Sequence, residues 1–143
     1  MSKCVNCNRE DAAIKFSVLT WRGSSKENVE FTCCSEECKK EVEDFTAYVN
    51  KNVAKFIILI ILGSLSFIPF IILYSSTKKD LYGILSLFST LFIIGFAIFK
   101  YPFATPQTNS SFGFRKAVKI TKAIGLCLMA LGIAVMALFS ILG

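Results

Sequence analysis

The sequence predicts two unlike parts: a small α+β domain over residues 1–50 and an all-α three-helix transmembrane bundle over residues 51–143. Three observations carry that expectation. Residues 1–50 hold seven Lys/Arg and nine Asp/Glu, whereas residues 51–143 hold nine Lys/Arg and a single acid, Asp80. Hydrophobic residues make up 54% of the chain, at a mean hydropathy of +0.59, and they concentrate in three uncharged runs. Five of the six cysteines fall within the first forty residues. The formal charge of +6 therefore averages an acidic segment and a basic one. Because the bases flank apolar runs, as membrane proteins require, no nucleic-acid partner is expected.

Cys4-Val5-Asn6-Cys7 opens the chain as a C-x2-C turn. Ile14–Trp21, with Phe16, Val18 and Leu19, is apolar-rich and reads as a strand. Arg22–Asn28 has loop composition, and Val29–Thr32 alternates like a return strand. Ser35 is placed to cap a helix whose Cys38, Val42, Phe45 and Val49 recur at spacings of four, three and four, giving one apolar face. No Gly or Pro interrupts this helix before Gly63, so it is expected to run through Asn50-Lys51-Asn52 into the first apolar run. Continued from Ser35 to Tyr74, it would be a rod of about 60 Å at 1.5 Å per residue.

The uncharged runs are Phe56–Tyr74 and Leu81–Phe99, of nineteen residues each, and Ala123–Leu142, of twenty. Each is long enough for the roughly 30 Å of a hydrocarbon core, and none has the polar face of a buried helix in a soluble bundle. Transmembrane helices are expected at about 54–74, 81–100 and 117–142. The first run starts after a polar domain and so does not read as a cleavable signal peptide. Pro69 is expected to kink the first span. Gly63, Ser64 and Ser66, then Gly83, Ser86, Ser89 and Gly95, then Gly125 and Gly132 are small enough for close helix packing within one bundle, as are Ala130 and Ala134. Acids, amides and bases are absent from the spans, which weighs against a transporter or pump.

The bases near the span ends set an expected orientation. Lys51, Lys55, Lys100, Arg115, Lys116, Lys119 and Lys122 fall on one side of a three-pass chain, against Lys78 and Lys79 on the other. This bias predicts a multi-pass cell-membrane protein with its N-terminus in the cytoplasm and its C-terminus on the outer side. The Asn109-Ser110-Ser111 sequon then lies on the side where no glycosylation occurs. Pro102 and Pro106 bias Tyr101–Thr108 to extended or turn geometry, and Tyr101 and Phe103 suit the headgroup level. From Phe112 the pattern turns helical. Arg115, Lys116, Lys119 and Lys122 read as a basic face anchored among anionic lipid headgroups, with an acidic partner as the alternative.

Cys4 and Cys7 are followed, after twenty-six residues, by the C-x3-C pair Cys34 and Cys38. With no histidine in the chain, a transition-metal site must be built from thiolates and carboxylates. Such spacings let two sulfurs of each pair turn toward one ion, and four thiolates complete the tetrahedron of a structural Zn²⁺. The positive end of the helix dipole beside Cys34 and Cys38 favours the thiolate form. A polar unit of this size cannot bury enough apolar surface alone, whereas structural Zn²⁺ contributes on the order of 10 kcal/mol. Disulfides are the competing explanation. They are disfavoured by a reducing cytoplasm and by the adjacency of Cys33 and Cys34. Cys33 is a possible alternative ligand, a sensing thiol or a spare one; Cys127 reads as a packing residue of the third span.

Knuckle, β-hairpin, then a helix bringing the last ligand pair in its opening turn describes a treble clef. Cys4-x2-Cys7 followed by Phe31-Thr32-Cys33-Cys34-Ser35-Glu36-Glu37-Cys38 and Phe45 resembles the TRASH/MYM-type treble-clef zinc domains, over about a quarter of the chain. In this chain Cys33 stands where those domains usually place an aromatic, and the gap between ligand pairs is longer. The resemblance implies a Zn-binding module and, for TRASH domains, a part in metal sensing or trafficking. The expected function is a membrane-anchored structural zinc module, acting as a cytoplasmic adaptor or small subunit of a membrane assembly with a protein partner. The alternative is a thiolate-based metal sensor or metal-trafficking protein. No enzyme is expected. A four-cysteine set is closed, there is no histidine, and neither a phosphate-binding glycine loop nor a nucleophile elbow is present.

Overall fold

The computed structural model describes residues 3–22, 25–103, 109 and 111–142. In chain order these form β1 (Ile14–Arg22), β2 (Ser25–Cys33), α1 (Glu36–Leu65), α2 (Phe67–Thr77), α3 (Asp80–Lys100) and α4 (Phe114–Leu142). Most of the Tyr101–Thr108 segment, with Pro106, and Ser110 of the sequon lie outside the described residues.

The two strands pair antiparallel from Ile14↔Cys33 to Arg22↔Ser25. The loop expected at Arg22–Asn28 is therefore mostly strand. Its polar composition reflects exposure rather than irregular backbone: Ser25, Lys26, Glu27 and Asn28 are all exposed in β2. Cross-strand pairs hold this end of the ladder. Trp21 lies opposite Lys26, whose ammonium sits 5.5 Å from the indole centroid.

Chain contacts divide the molecule into two compact units, Met1–Val53 with Phe103–Thr121, and Ala54–Pro102 with Lys122–Gly143. In the first, Cys4, Cys33, Cys38, Val42 and Phe114 form the buried cluster, with Val5, Phe16, Phe31 and Phe45 packed against it. Phe114 meets Phe31 edge-on at 5.9 Å between centroids and Phe45 at 5.4 Å. Charge and hydropathy mark where the chain leaves this unit, near residue 50. They carry no sign that it returns sixty-odd residues later to supply a core aromatic.

Among the described residues, three helical stretches are long and apolar enough to cross a membrane, Glu36–Thr77, Asp80–Lys100 and Phe114–Ile141, with 18-residue segments of mean hydropathy 2.9, 2.2 and 2.5. The first is interrupted at Ser66, between α1 and α2. Pro69 explains the position, because a proline removes the N–H that would bond the carbonyl four residues earlier, that of Leu65, and its ring crowds that carbonyl. The Ser66 hydroxyl donates to Gly63 O at 2.7 Å and lies 3.3 Å from Ser89 Oγ of α3. Small residues bring the helices close. A Cβ on Gly63 would lie 2.8 Å from the Ile94 side chain, and one on Gly125 would lie 2.5 Å from the Phe99 backbone nitrogen.

Candidate metal centre

The Cys4–Cys7 turn is closed by its own backbone. Asn8 N–H donates to Cys4 O at 2.8 Å, and Cys4 N–H to Arg9 O at 2.7 Å. Asn8 takes the left-handed conformation at φ 65°, which asparagine tolerates better than most residues. Val5 N–H to Thr32 O, at 2.9 Å, docks the turn on β2. The second pair straddles the start of α1. Ser35 is the N-cap, its Oγ accepting from Cys38 N–H at 3.2 Å, so Cys34 precedes the helix and Cys38 lies in its first turn.

These two pieces bring the sulfurs of Cys4, Cys7, Cys34 and Cys38 all within 4.8 Å of one another. Cys7 and Cys34 are 3.5 Å apart, and Cys34 and Cys38 are 3.7 Å apart. A tetrahedron with metal–sulfur bonds of about 2.3 Å has sulfur–sulfur edges of about 3.8 Å, so the spacing fits one thiolate-bound ion. A disulfide needs about 2.05 Å, and all six cysteines are free. Cys4 and Cys38 are buried, while Cys7 and Cys34 are half-buried. They line, with Cys38, a cavity of about 260 Å³ bounded also by Arg9, Asp11, Ser35, Glu37 and Arg115.

Ionisation is unevenly shared among the sulfurs. Burial opposes charge on Cys4, but backbone N–H groups of Cys7, Cys34 and Asn6, aided by the Cys7 thiol, outweigh it and lower the Cys4 thiol. Cys34 moves the other way, because its hydrogen bond to Cys7 keeps its proton in place and burial adds to this. Negative charge is thus favoured on Cys4 over Cys34, and four thiolates together require a compensating positive ion. Cys33 stands outside the quartet. Fully buried on β2, it is pushed up to about 12 by burial and then by the nearby Cys4 and Cys38 sulfurs. Cys127, expected as a packing residue, is exposed on α4.

Three polar residues, Asn6, Glu41 and Arg115, buttress the site in a role that sequence reasoning did not assign to them. Asn6, between Cys4 and Cys7 and only 2% exposed, donates through Nδ2 to Glu41 Oε2 at 2.6 Å. Arg115 grips the same carboxylate with Nε and Nη2, each at 2.6 Å. These hydrogen bonds, from Arg115 first and Asn6 second, hold the Glu41 carboxyl down to about 2. The sequence pattern groups Arg115 with Lys116, Lys119 and Lys122 as one basic face. Those three lysines are exposed on α4, whereas Arg115 is drawn onto α1. Glu41 follows Cys38 by one helical turn, but a partner 74 residues away leaves no local signal.

Comparisons with protein-family models, with curated proteins and with solved structures return no match. The fold and site define a class all the same: a chain of apolar, membrane-length helices bearing a four-cysteine cluster fit for a metal ion.

Proposed function

We propose that this protein is a membrane-anchored zinc module, acting without catalysis as a cytoplasmic adaptor or small subunit of a membrane assembly. The observation that carries the reading is the convergence of four sulfurs, from a turn and a helix start, to within 4.8 Å. A closed all-thiolate tetrahedron suits structural Zn²⁺ and leaves no open position for water or substrate. The sequence of knuckle, hairpin and helix supports a treble-clef head, and the Phe31–Cys38 motif supports kinship with TRASH/MYM-type domains. Residues 3–53 and 103–121 share one compact unit, so they belong on one face of the bilayer, as two crossings between them require. The excess of bases on that face favours the cytoplasm, with the Lys116, Lys119 and Lys122 face among anionic headgroups. Glu41 is taken by Arg115 and Glu36 pairs with Lys39, which leaves exposed Glu43 and Asp44 to meet a basic protein partner.

Affinity purification in a gentle detergent, read for metal content and companion proteins together, tests this proposal. Near-stoichiometric zinc with a reproducible companion is expected; zinc without any companion would sink the adaptor. Iron shares the tetrahedral sulfur geometry, so the metal analysis must distinguish the two. One observation favours a second reading, reversible metal handling: Cys7 and Cys34 are half-buried and open onto the charged cavity. A handler releases its ion to moderate chelators and stays folded, whereas a structural site unfolds when stripped.

A further inference from the structure

An α-helix leaves its first N–H groups without partners of its own. At the start of α4, two of these are met from inside the cysteine turn. Phe114 N–H donates to Val5 O at 3.0 Å and Arg115 N–H to Asn6 O at 3.3 Å. Val5 and Asn6 are the two residues between Cys4 and Cys7. The approach depends on Gly113, whose φ is +77° and where a Cβ would lie 2.5 Å from Asn6 O. Side chains reinforce the joint: Asn8 Nδ2 donates to Ser111 O at 3.2 Å, and Asn6 and Arg115 converge on Glu41. Phe114, beside the joint, is 9% exposed.

We propose that the Cys4–Cys7 turn is the N-terminal cap of α4, and that metal loading orders the entry of this last apolar helix. The inference rests on the metal site proposed above and adds its regulatory consequence. When both sulfurs hold one ion, the carbonyls of the two residues between them are fixed in direction, and these are the carbonyls that α4 uses. Losing the ion frees the turn and withdraws both acceptors at once. Linkage makes the effect reciprocal: whatever loosens the start of α4 weakens metal binding by the same factor.

The test uses the full chain in detergent micelles, zinc-loaded and chelator-stripped. Amide hydrogen exchange is followed at Phe114, Arg115 and Ala117, with residues 125–138 as reference and zinc content measured in parallel. Stripping is expected to speed exchange at the three amides at least about tenfold relative to the reference, within the coupling range of known switches. Gly113→Ala and Arg115→Gln are expected to lower zinc affinity against a competing chelator by about tenfold, as loss of outer-shell support does elsewhere. Stoichiometric zinc whose removal leaves Phe114 and Arg115 as protected as before would overturn the coupling and leave the metal site standing. Unchanged zinc affinity in both variants would also overturn it. A wild-type chain that holds no metal overturns the site itself, and the coupling with it.

Discussion

Four sulfurs and one buttressed carboxylate account for most of the chemistry at the scale of single residues. Cys34→Ser should abolish metal retention, since three thiolates leave the tetrahedron open, and zinc stoichiometry in the purified chain checks it. Cys33→Ala should keep the metal while lowering the melting temperature of the head, because Cys33 belongs to the packed core and not to the quartet. The same burial should keep Cys33 unreactive toward maleimide at neutral pH until the head unfolds. Glu41 has its folded-state carboxyl depressed to about 2. Its pairing with Arg115 and Asn6 should therefore stabilise the head fully above the unfolded carboxylate value of about 4.3, and fade as pH falls toward 2. A carboxyl NMR titration reads this directly; a midpoint near 4.3 in the folded chain would contradict it. The clustering of Cys4, Cys7, Cys34 and Cys38 was legible because spacing and residue type point to it. Asn6, Glu41 and Arg115 were not, because their meaning lies in a meeting of three distant segments.

Among the elements, the start of α1 is the simplest to probe. Ser35→Ala removes the acceptor for Cys38 N–H and should cost about 1 kcal/mol in thermal or chemical melting of the metal-loaded chain. Where α3 and α4 cross, Gly125→Val should disrupt packing, since even a Cβ would lie 2.5 Å from Phe99 N. Accelerated thermal aggregation in detergent is the expected result. Helix positions were readable from period, capping and apolar length, and the break at Ser66 follows from Pro69. The far end of the hairpin was not readable, because an exposed strand of Ser, Lys, Glu and Asn has the composition of a loop. Its order comes from antiparallel pairing with Thr20 and Trp21, which composition does not report.

For the whole molecule, the split between a polar head and apolar helices was written in the charge distribution, whereas the membership of Phe103–Thr121 in the head was not. Single introduced cysteines at exposed positions, labelled from either side of sealed vesicles, should place residues 26 and 112 on one face and residue 78 on the other. Opposite labelling of residues 26 and 112 would refute the three-crossing arrangement. The return of Phe114 to a core begun by Cys4 also imposes an order on biosynthesis. Although the cysteine turn leaves the ribosome first, its aromatic lid against Phe31 and Phe45 is made only after two apolar stretches have been translated. A nascent head must wait, half assembled, for a residue encoded more than a hundred codons downstream. A fragment ending at residue 53 should hold its ion more weakly than the chain of residues 1–143.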